Sequence, residues 1–387
     1  MDEKKSVLIF STAYLPFLGG AELAIKEITD RLHDLHFILI TARMRCSLLP
    51  KEHMGNIEVY RVGIGVPIFD KILSPFLAAW YVFKITRHSP VCLFWSVMVS
   101  YTTITPVLLK MFGLYKNMPL LLTLQEGDSK AHITRARLGL VGFWWRFALQ
   151  QADHVQVISA YLEKLAREFG YAGIVSVVPN GADIHKFTPS FDRVPRRMTG
   201  QISDDATPVI ITVSRLVEKN GVDVLIKAFA EVCKKFPDVA LHIVGDGKLR
   251  GELEALVNML GIGNKTVFLG EVPHEKISAC QSDAYMFVRP SRSEGLGTAF
   301  LEAMADGLPV IGTPVGGIVD FLKDGETGLF CKVDDPKSLA EKILLLLQDK
   351  ELHKRLQDNG RRLVGEKYDW DGITLQMKTI FQSLCAS

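Results

Sequence analysis

What most constrains this chain is an alternation, sustained along nearly its whole length, of short β-branched apolar runs with longer segments of helical period. The runs in the first half are Val7–Ser11, Phe37–Thr41, Cys92–Trp95, Leu120–Leu124, His154–Ile158 and Val175–Val178. Those in the second are Val209–Val213, Ala240–Val244, Thr266–Leu269, Ala284–Val288, Val310–Gly312 and Gly328–Phe330. Short, continuously apolar runs fit strands buried on both faces, and their alternation with helices implies βαβ units and parallel sheets. Each set is large enough for its own doubly wound sheet. The expected class is therefore α/β, with two Rossmann-like domains facing each other across a cleft. The expected divisions are residues 1–187, a polar linker rich in Pro, Ser, Arg and Asp at 188–207, and residues 208–368. The tail from Tyr368 reads as an amphipathic helix, so residues 369–387 are expected to cross back to the first domain. Ligands are expected where the strand C-termini face the cleft.

The composition, 48% hydrophobic and 23% charged over 387 residues, excludes an extended disordered chain. A formal charge of +2 argues against a nucleic-acid partner, but the charge is uneven: residues 1–150 carry 17 Lys/Arg against 11 Asp/Glu, the remainder 28 against 32. The six cysteines show no C-x-x-C pair, a pattern that fits reduced thiols in a cytosolic protein better than a disulfide framework or a zinc site. The apolar start Val7–Phe10 is too short for a signal peptide and reads as a first buried strand. Val91–Leu109 has the length of a membrane span without a charge, yet its Ser, Thr and Pro content fits a strand followed by a buried helix.

Chemistry concentrates between Arg289 and Pro309. A strand ends at Val288, a loop carries Ser293, Gly295 and Gly297, and a helix begins near Thr298. Glycines there let backbone N–H groups approach a ligand, and a helix N-terminus favours a phosphate. Glu294 in the loop and Glu302 about one turn into the helix can point at one ligand, and carboxylates accept hydrogen bonds from the vicinal hydroxyls of sugars and riboses. The plainer reading makes Glu294 a helix cap and puts Glu302 on a solvated face.

Glu294 and Glu302, with seven residues between them, resemble the E-x7-E signature of the retaining family-4 glycosyltransferases of GT-B fold, among them cell-surface glycan mannosyl- and glucosyltransferases of bacteria and archaea. Further segments resemble the same family in the same order. They are Tyr14-Leu-Pro-Phe-Leu-Gly19-Gly20-Ala-Glu22, Val178-Pro-Asn180-Gly181-Ala-Asp183 and Ser214-Arg215-Leu-Val-Glu-Lys219-Asn220-Gly221. Val244-Gly245-Asp246-Gly247, Phe268-Leu-Gly270 and the run from Pro309 through Gly316-Gly317 to Gly328 complete the match. The resemblance implies a hexosyltransferase that uses a nucleotide-diphosphate sugar, UDP- or GDP-linked, as co-substrate and needs no resident cofactor or metal. It implies that Glu302 binds ribose hydroxyls and Glu294 the transferred sugar. Arg215 and Lys219 would meet the diphosphate. Gly295, Leu296, Gly297 and Thr298 would face sugar and phosphate, Gly245 and Val272 would line the nucleotide, and Gly19 and Gly20 would let the first domain approach the pyrophosphate.

Two positions depart from the family pattern. Its usual lysine is replaced by Asn220, with Lys219 just before, and its usual histidine near the anomeric centre by Gln125. Glutamine holds a hydroxyl but is neither acid nor base at neutral pH. Glu126 and Asp128 are then either acceptor-side carboxylates or loop acceptors. The D-x-D at Asp369-Trp370-Asp371 reads as a helix start with Asp371 as N-cap. A nucleotide-sugar epimerase and a non-catalytic nucleotide-sugar-binding protein share the fold and remain alternatives.

The resemblance places acceptor binding in the first domain. Aromatics interleaved with basic residues occur there at Phe76, Trp80, Tyr81, Phe83, Lys84 and Arg87, at Lys110–Lys116, and at Arg135, Arg137 and Phe143–Arg146. Such a pattern suits either helix packing or an anionic membrane surface presenting a lipid-linked acceptor. The expected location is cytoplasmic, peripheral to the inner face of the plasma membrane.

Overall fold

The structure, a computed structural model, describes residues 5–128, 130–135, 139–184 and 207–386. Apart from Thr207, the polar linker expected at 188–207 lies outside the described residues, as do Arg137 and the side chain of Arg135. Two compact units form: one from Met1–Asn180 with Trp370–Ser387, the other from Gly181–Asp369.

The first unit holds an eight-stranded sheet of β1 (Ser6–Phe10), β2 (His36–Ala42), β3 (Lys51–Met54), β4 (Ile57–Val62), β5 (Val91–Val97), β6 (Leu120–Leu124), β7 (His154–Val157) and β8 (Ile174–Val177). Its order is β3-β4-β2-β1-β5-β6-β7-β8, parallel except where β3 meets β4. Every residue of β1 and β6 is buried, as strands covered on both faces require. The β3–β4 hairpin is an addition to the expected strands. Its signal was a Gly55-Asn56 turn between charged, alternating runs, which lack the apolar continuity of the other strands. Val91–Leu109 resolves into β5, a 3₁₀ turn at Tyr101–Ile104 and a helix at Thr105–Met111. Among the described residues no helix is long and apolar enough to cross a membrane.

The second unit holds β9 (Val209–Val213), β10 (Ala240–Val244), β11 (Thr266–Gly270), β12 (Met286–Val288), β13 (Val310–Gly312) and β14 (Leu329–Phe330). All are parallel, in the order β11-β10-β9-β12-β13-β14. That is the 3-2-1-4-5-6 order of a doubly wound dinucleotide-binding sheet, whose strand order reverses between β9 and β12. The loops leaving those two strands therefore open side by side.

The helix Trp370–Ala386 belongs to the first unit. Trp370, Ile373, Met377, Ile380 and Phe381 are buried in that unit's core, where the Phe381 ring lies 5.0 Å from Trp95. This docking overturns two expectations. It brings Cys385 to the start of β5, where a disulfide joins it to Cys92, so the six thiols are not uniformly reduced. Their sequence separation of 293 hides the pairing from any reading of local spacing. Asp371 is not the N-cap but lies within the first helical turn, where its Oδ1 accepts from Arg31 Nε at 2.8 Å.

Candidate active site

The loops that open at the β9/β12 reversal, with the helix after β12, hold Arg215, Lys219, Glu294, Gly295, Leu296, Gly297, Thr298 and Glu302. Arg215, just past β9, is exposed, and its carbonyl accepts from the buried Asn220 side chain at 2.7 Å. Asn220 thus shapes the turn from inside, while Lys219, on a 3₁₀ turn, is half-buried. The departure from the family lysine has a local structural use. Gly245, just past β10, has φ 123° and lies flush against the Ser214 carbonyl, and Leu216 N–H donates to Asp246 O at 2.9 Å. The β10 loop is thereby strapped to the Arg215 loop. Val272 is half-buried in the turn after β11.

The loop from β12 enters the helix Thr298–Ala305 through Gly297, whose φ of 99° is a left-handed conformation that favours glycine. Gly297 is the N-cap, so Glu294 is no cap. Its Oε1 accepts from Gly295 N at 3.2 Å, and its Oε2 pairs with the Arg289 guanidinium. Arg289 is 7% exposed, lies 4.8 Å from the Phe300 ring centre and leaves its Nε without a partner among the described residues. Gly295, Leu296 and Gly297 are buried and Thr298 half-buried. Glu302 is buried rather than solvated, with its Oε1 2.8 Å from His274 Nε2.

Arg292 ties the loop down. It makes two 2.9 Å bonds to Asp223 and one of 2.6 Å to Asp334, and its backbone N–H donates to Lys219 O at 2.7 Å. Burial alone would raise the Asp223 carboxyl, but the Arg292 fork holds it below its usual range. This tie places the Lys219 turn beside the Glu294 loop. Sequence reading assigned no role to Arg289, Arg292 or His274. The signal available was a pair of arginines flanking Ser291 in a segment otherwise chosen for its glycines.

One turn beyond Glu302, Asp306 accepts from Ser278 Oγ at 2.7 Å. Burial pushes its carboxyl up to about 8, against the Ser278 hydrogen bond and with the Glu302 charge adding to the rise. The folded protein therefore holds this proton where the unfolded chain releases it, and stability falls as pH rises from the ordinary carboxyl range to about 8. Asp306→Asn should flatten that slope: melting temperatures at pH 5 and pH 9 should differ less in the variant than in the parent.

In the first unit Gly19 is the N-cap of the Gly20–Arg31 helix, its N–H donating to Glu22 Oε2 at 2.9 Å. Gln125, just past β6, accepts at Oε1 from Asn180 Nδ2 at 2.9 Å. Buried Glu126 accepts from Val99 N at 2.6 Å and Gln125 N at 3.0 Å. Its carboxyl is pushed up to about 7 by burial, against those backbone bonds. Glu126 thus serves the loop, tying the ends of β5 and β6. Asp128 is half-buried two residues on.

The aromatic clusters of this unit divide between packing and surface. Trp145 is buried, whereas Phe143 and the helix residues Phe76, Trp80 and Phe83 are exposed.

Comparison with known proteins bears on the second unit's sequence and on the fold. Residues 198–363, which contain both carboxylates and the Arg215 turn, match the family described as "Glycosyl transferases group 1". The chain is 32% identical over 254 residues to the GDP-mannose-dependent alpha-(1-6)-phosphatidylinositol monomannoside mannosyltransferase of Mycolicibacterium smegmatis, covering 64% of each chain. Its fold is similar to that of sucrose-phosphate synthase from Thermosynechococcus elongatus, with TM-score 0.86 and 22% identity over 99% of both chains. It is also similar to that of Anabaena HepE in complex with UDP-glucose, with TM-score 0.77 and 20% identity over 98% of this chain and 99% of that one. Residues 198–363, which hold the spaced carboxylate pair at the reversal of the second sheet, match the group 1 glycosyltransferases, and the chain's two doubly wound parallel sheets form the GT-B fold.

Proposed function

We propose that this protein moves a hexose, with retention of anomeric configuration, from a nucleotide-diphosphate sugar to a hydroxyl of a glycan acceptor. The observation that carries the reading is the β9/β12 reversal, where the exposed Arg215 and Glu294 lie on adjoining loops and the Gly297 entrance leads into the helix that carries Glu302. In this reading Glu302 accepts from ribose hydroxyls and Glu294 from the hexose. The helix N-terminus and Arg215, with Lys219, stabilise negative charge on the departing diphosphate, whose oxygen takes the acceptor's proton. No protein nucleophile is needed. A GDP-mannose-dependent relative and a neighbour bound to UDP-glucose support a nucleotide-sugar donor.

The test is product analysis with GDP-mannose, UDP-glucose and UDP-N-acetylglucosamine, each with and without glycan acceptors. Acceptor-dependent release of nucleoside diphosphate supports the transferase. Epimerised donor without acceptor favours an epimerase, and tight binding without product a binding protein.

The acceptor is read as lipid-linked and the first unit as peripheral to an anionic membrane. Support comes from the Pro67–Thr86 helix, where Ile68 (71%), Phe69 (59%), Phe76 (69%) and Trp80 (59%) are exposed, with Phe112 (71%) elsewhere in the same unit. Lys84 Nζ stands 5.6 Å from the Trp80 ring centre, a pairing of aromatic and cation suited to a headgroup layer. Phe76→Ser with Trp80→Ser should weaken co-sedimentation with phosphatidylglycerol vesicles at low salt by about tenfold or more, given the transfer energy of two large side chains. Unchanged binding, or none in the parent, would refute the membrane reading.

A further inference from the structure

The carboxylate read as the ribose acceptor does not stand alone. Glu302 lies on the Thr298–Ala305 helix and Asp306, four residues on, is its C-cap in right-handed helical conformation, so the two share a face. Opposite them, His274 and Ser278 are also four residues apart, on a 3₁₀ turn (His274–Lys276) that runs directly into the helix Ile277–Gln281. The two pairs meet in register: His274 Nε2 is 2.8 Å from Glu302 Oε1, and Ser278 Oγ is 2.7 Å from Asp306 Oδ1. A carboxylate only accepts, so His274 Nε2 carries the proton and donates. Glu302 is thus held by one oxygen, and among the described residues His274 is the side chain its carboxylate contacts.

We propose that His274 is a positioning residue that fixes the Glu302 carboxylate by one oxygen so that the other is aimed at the vicinal hydroxyls of a nucleotide ribose, making the pair the determinant of ribose over 2′-deoxyribose. The inference rests on the reading of Glu302 as the ribose acceptor. Three features support it beyond contact. The Glu302 side chain is 8% exposed and that of His274 23%, so the hydrogen bond is shielded from competing water while the pair remains reachable. His274 follows the turn Glu271–Pro273, in which Val272 is expected to line the nucleotide, so it comes from an element already assigned to that ligand. Asp306 is tied by Ser278 at 2.7 Å, so a second rung holds the two segments in the register that the His274 bond needs. A free Glu302 side chain would sample several rotamers and lose part of the bond it forms with a diol; the histidine removes that cost in advance.

The probes are UDP and GDP with their 2′-deoxy counterparts, titrated calorimetrically into the full chain. The parent should bind one of the two ribonucleotides at least about tenfold more tightly than its deoxy form, the value of a hydrogen bond to a charged group. His274→Ala should bring that ratio close to one, while His274→Gln, which retains an N–H donor, should keep most of it. In a Glu302→Gln background, His274→Ala should change the ratio no further. A ratio unchanged in His274→Ala, or lost equally in His274→Gln, would overturn the positioning role while leaving the ribose reading of Glu302 intact. A parent that binds none of the four nucleotides would remove that reading and this inference together.

Discussion

Arg289→Met should cost the second unit about 3 kcal/mol or more and abolish turnover. The guanidinium is 7% exposed and pairs with Glu294, so its removal strands a carboxylate that is itself largely buried. Breaking such a pair from one side costs about 3–5 kcal/mol, because the remaining charge loses its compensation. Methionine matches the stem but returns only part of the contact with the Phe300 ring. Equilibrium urea unfolding of the parent and variant gives the energy. The double variant with Glu294→Gln should recover a large part of the stability and none of the activity. Full stability in Arg289→Met alone would show that the pair is not what holds Glu294.

The second large effect is expected at Gly316. Its φ is 54°, and an added Cβ would overlap the Glu294 carbonyl oxygen and approach the carbonyl carbon to 2.8 Å. Neighbouring Gly317 N–H already donates to that same carbonyl at 3.3 Å, so the turn serves as a rest for the Glu294 loop. Alanine at 316 forces that loop to shift by about an ångström, and a displacement of that size costs about a hundredfold in rate when it moves a group that positions substrate. Gly325→Ala is the matched control: its φ is 73°, yet nothing lies within 4 Å of the new methyl. It should carry only the intrinsic cost of a left-handed residue, about 1–2 kcal/mol, with kcat/KM near that of the parent. Equal losses of activity in both variants would trace the effect to backbone strain rather than to Glu294.

The strands and the strand–loop–helix setting of Glu294 and Glu302 were legible from sequence because both rest on local patterns. Apolar runs mark buried parallel strands, and glycines after β12 mark the turn into a helix. The β3–β4 hairpin escaped because Lys51–Met54 alternates in and out of solvent and carries charges that a search for apolar runs passes over. What holds the site together was illegible for a different reason. His274 meets Glu302 across 28 residues, Arg292 meets Asp223 across 69, and Cys92 meets Cys385 across 293; nothing in local spacing marks such partners. Sequence also left open whether Glu302 was solvated, since a polar residue on a helix gives no sign of which neighbour covers it. The register of that helix against the His274–Gln281 segment decides this in favour of burial. Asn220 is the converse case. As a departure from a family motif it puts activity in doubt, whereas its 2.7 Å bond to the Arg215 carbonyl gives it a role in forming the turn that presents the arginine.

The central claim is that the loops at the β9/β12 reversal bind a nucleotide-sugar donor. Isothermal titration of the full chain with UDP-glucose, GDP-mannose and UDP-N-acetylglucosamine tests it most directly, with Arg215→Ala and Glu302→Ala alongside. The account predicts one-to-one binding of at least one donor by the parent, weakened about tenfold or more in each variant, since each loses a charged hydrogen-bonding partner of the ligand. Binding that survives undiminished in both variants, or a parent that binds none of the three, would contradict it.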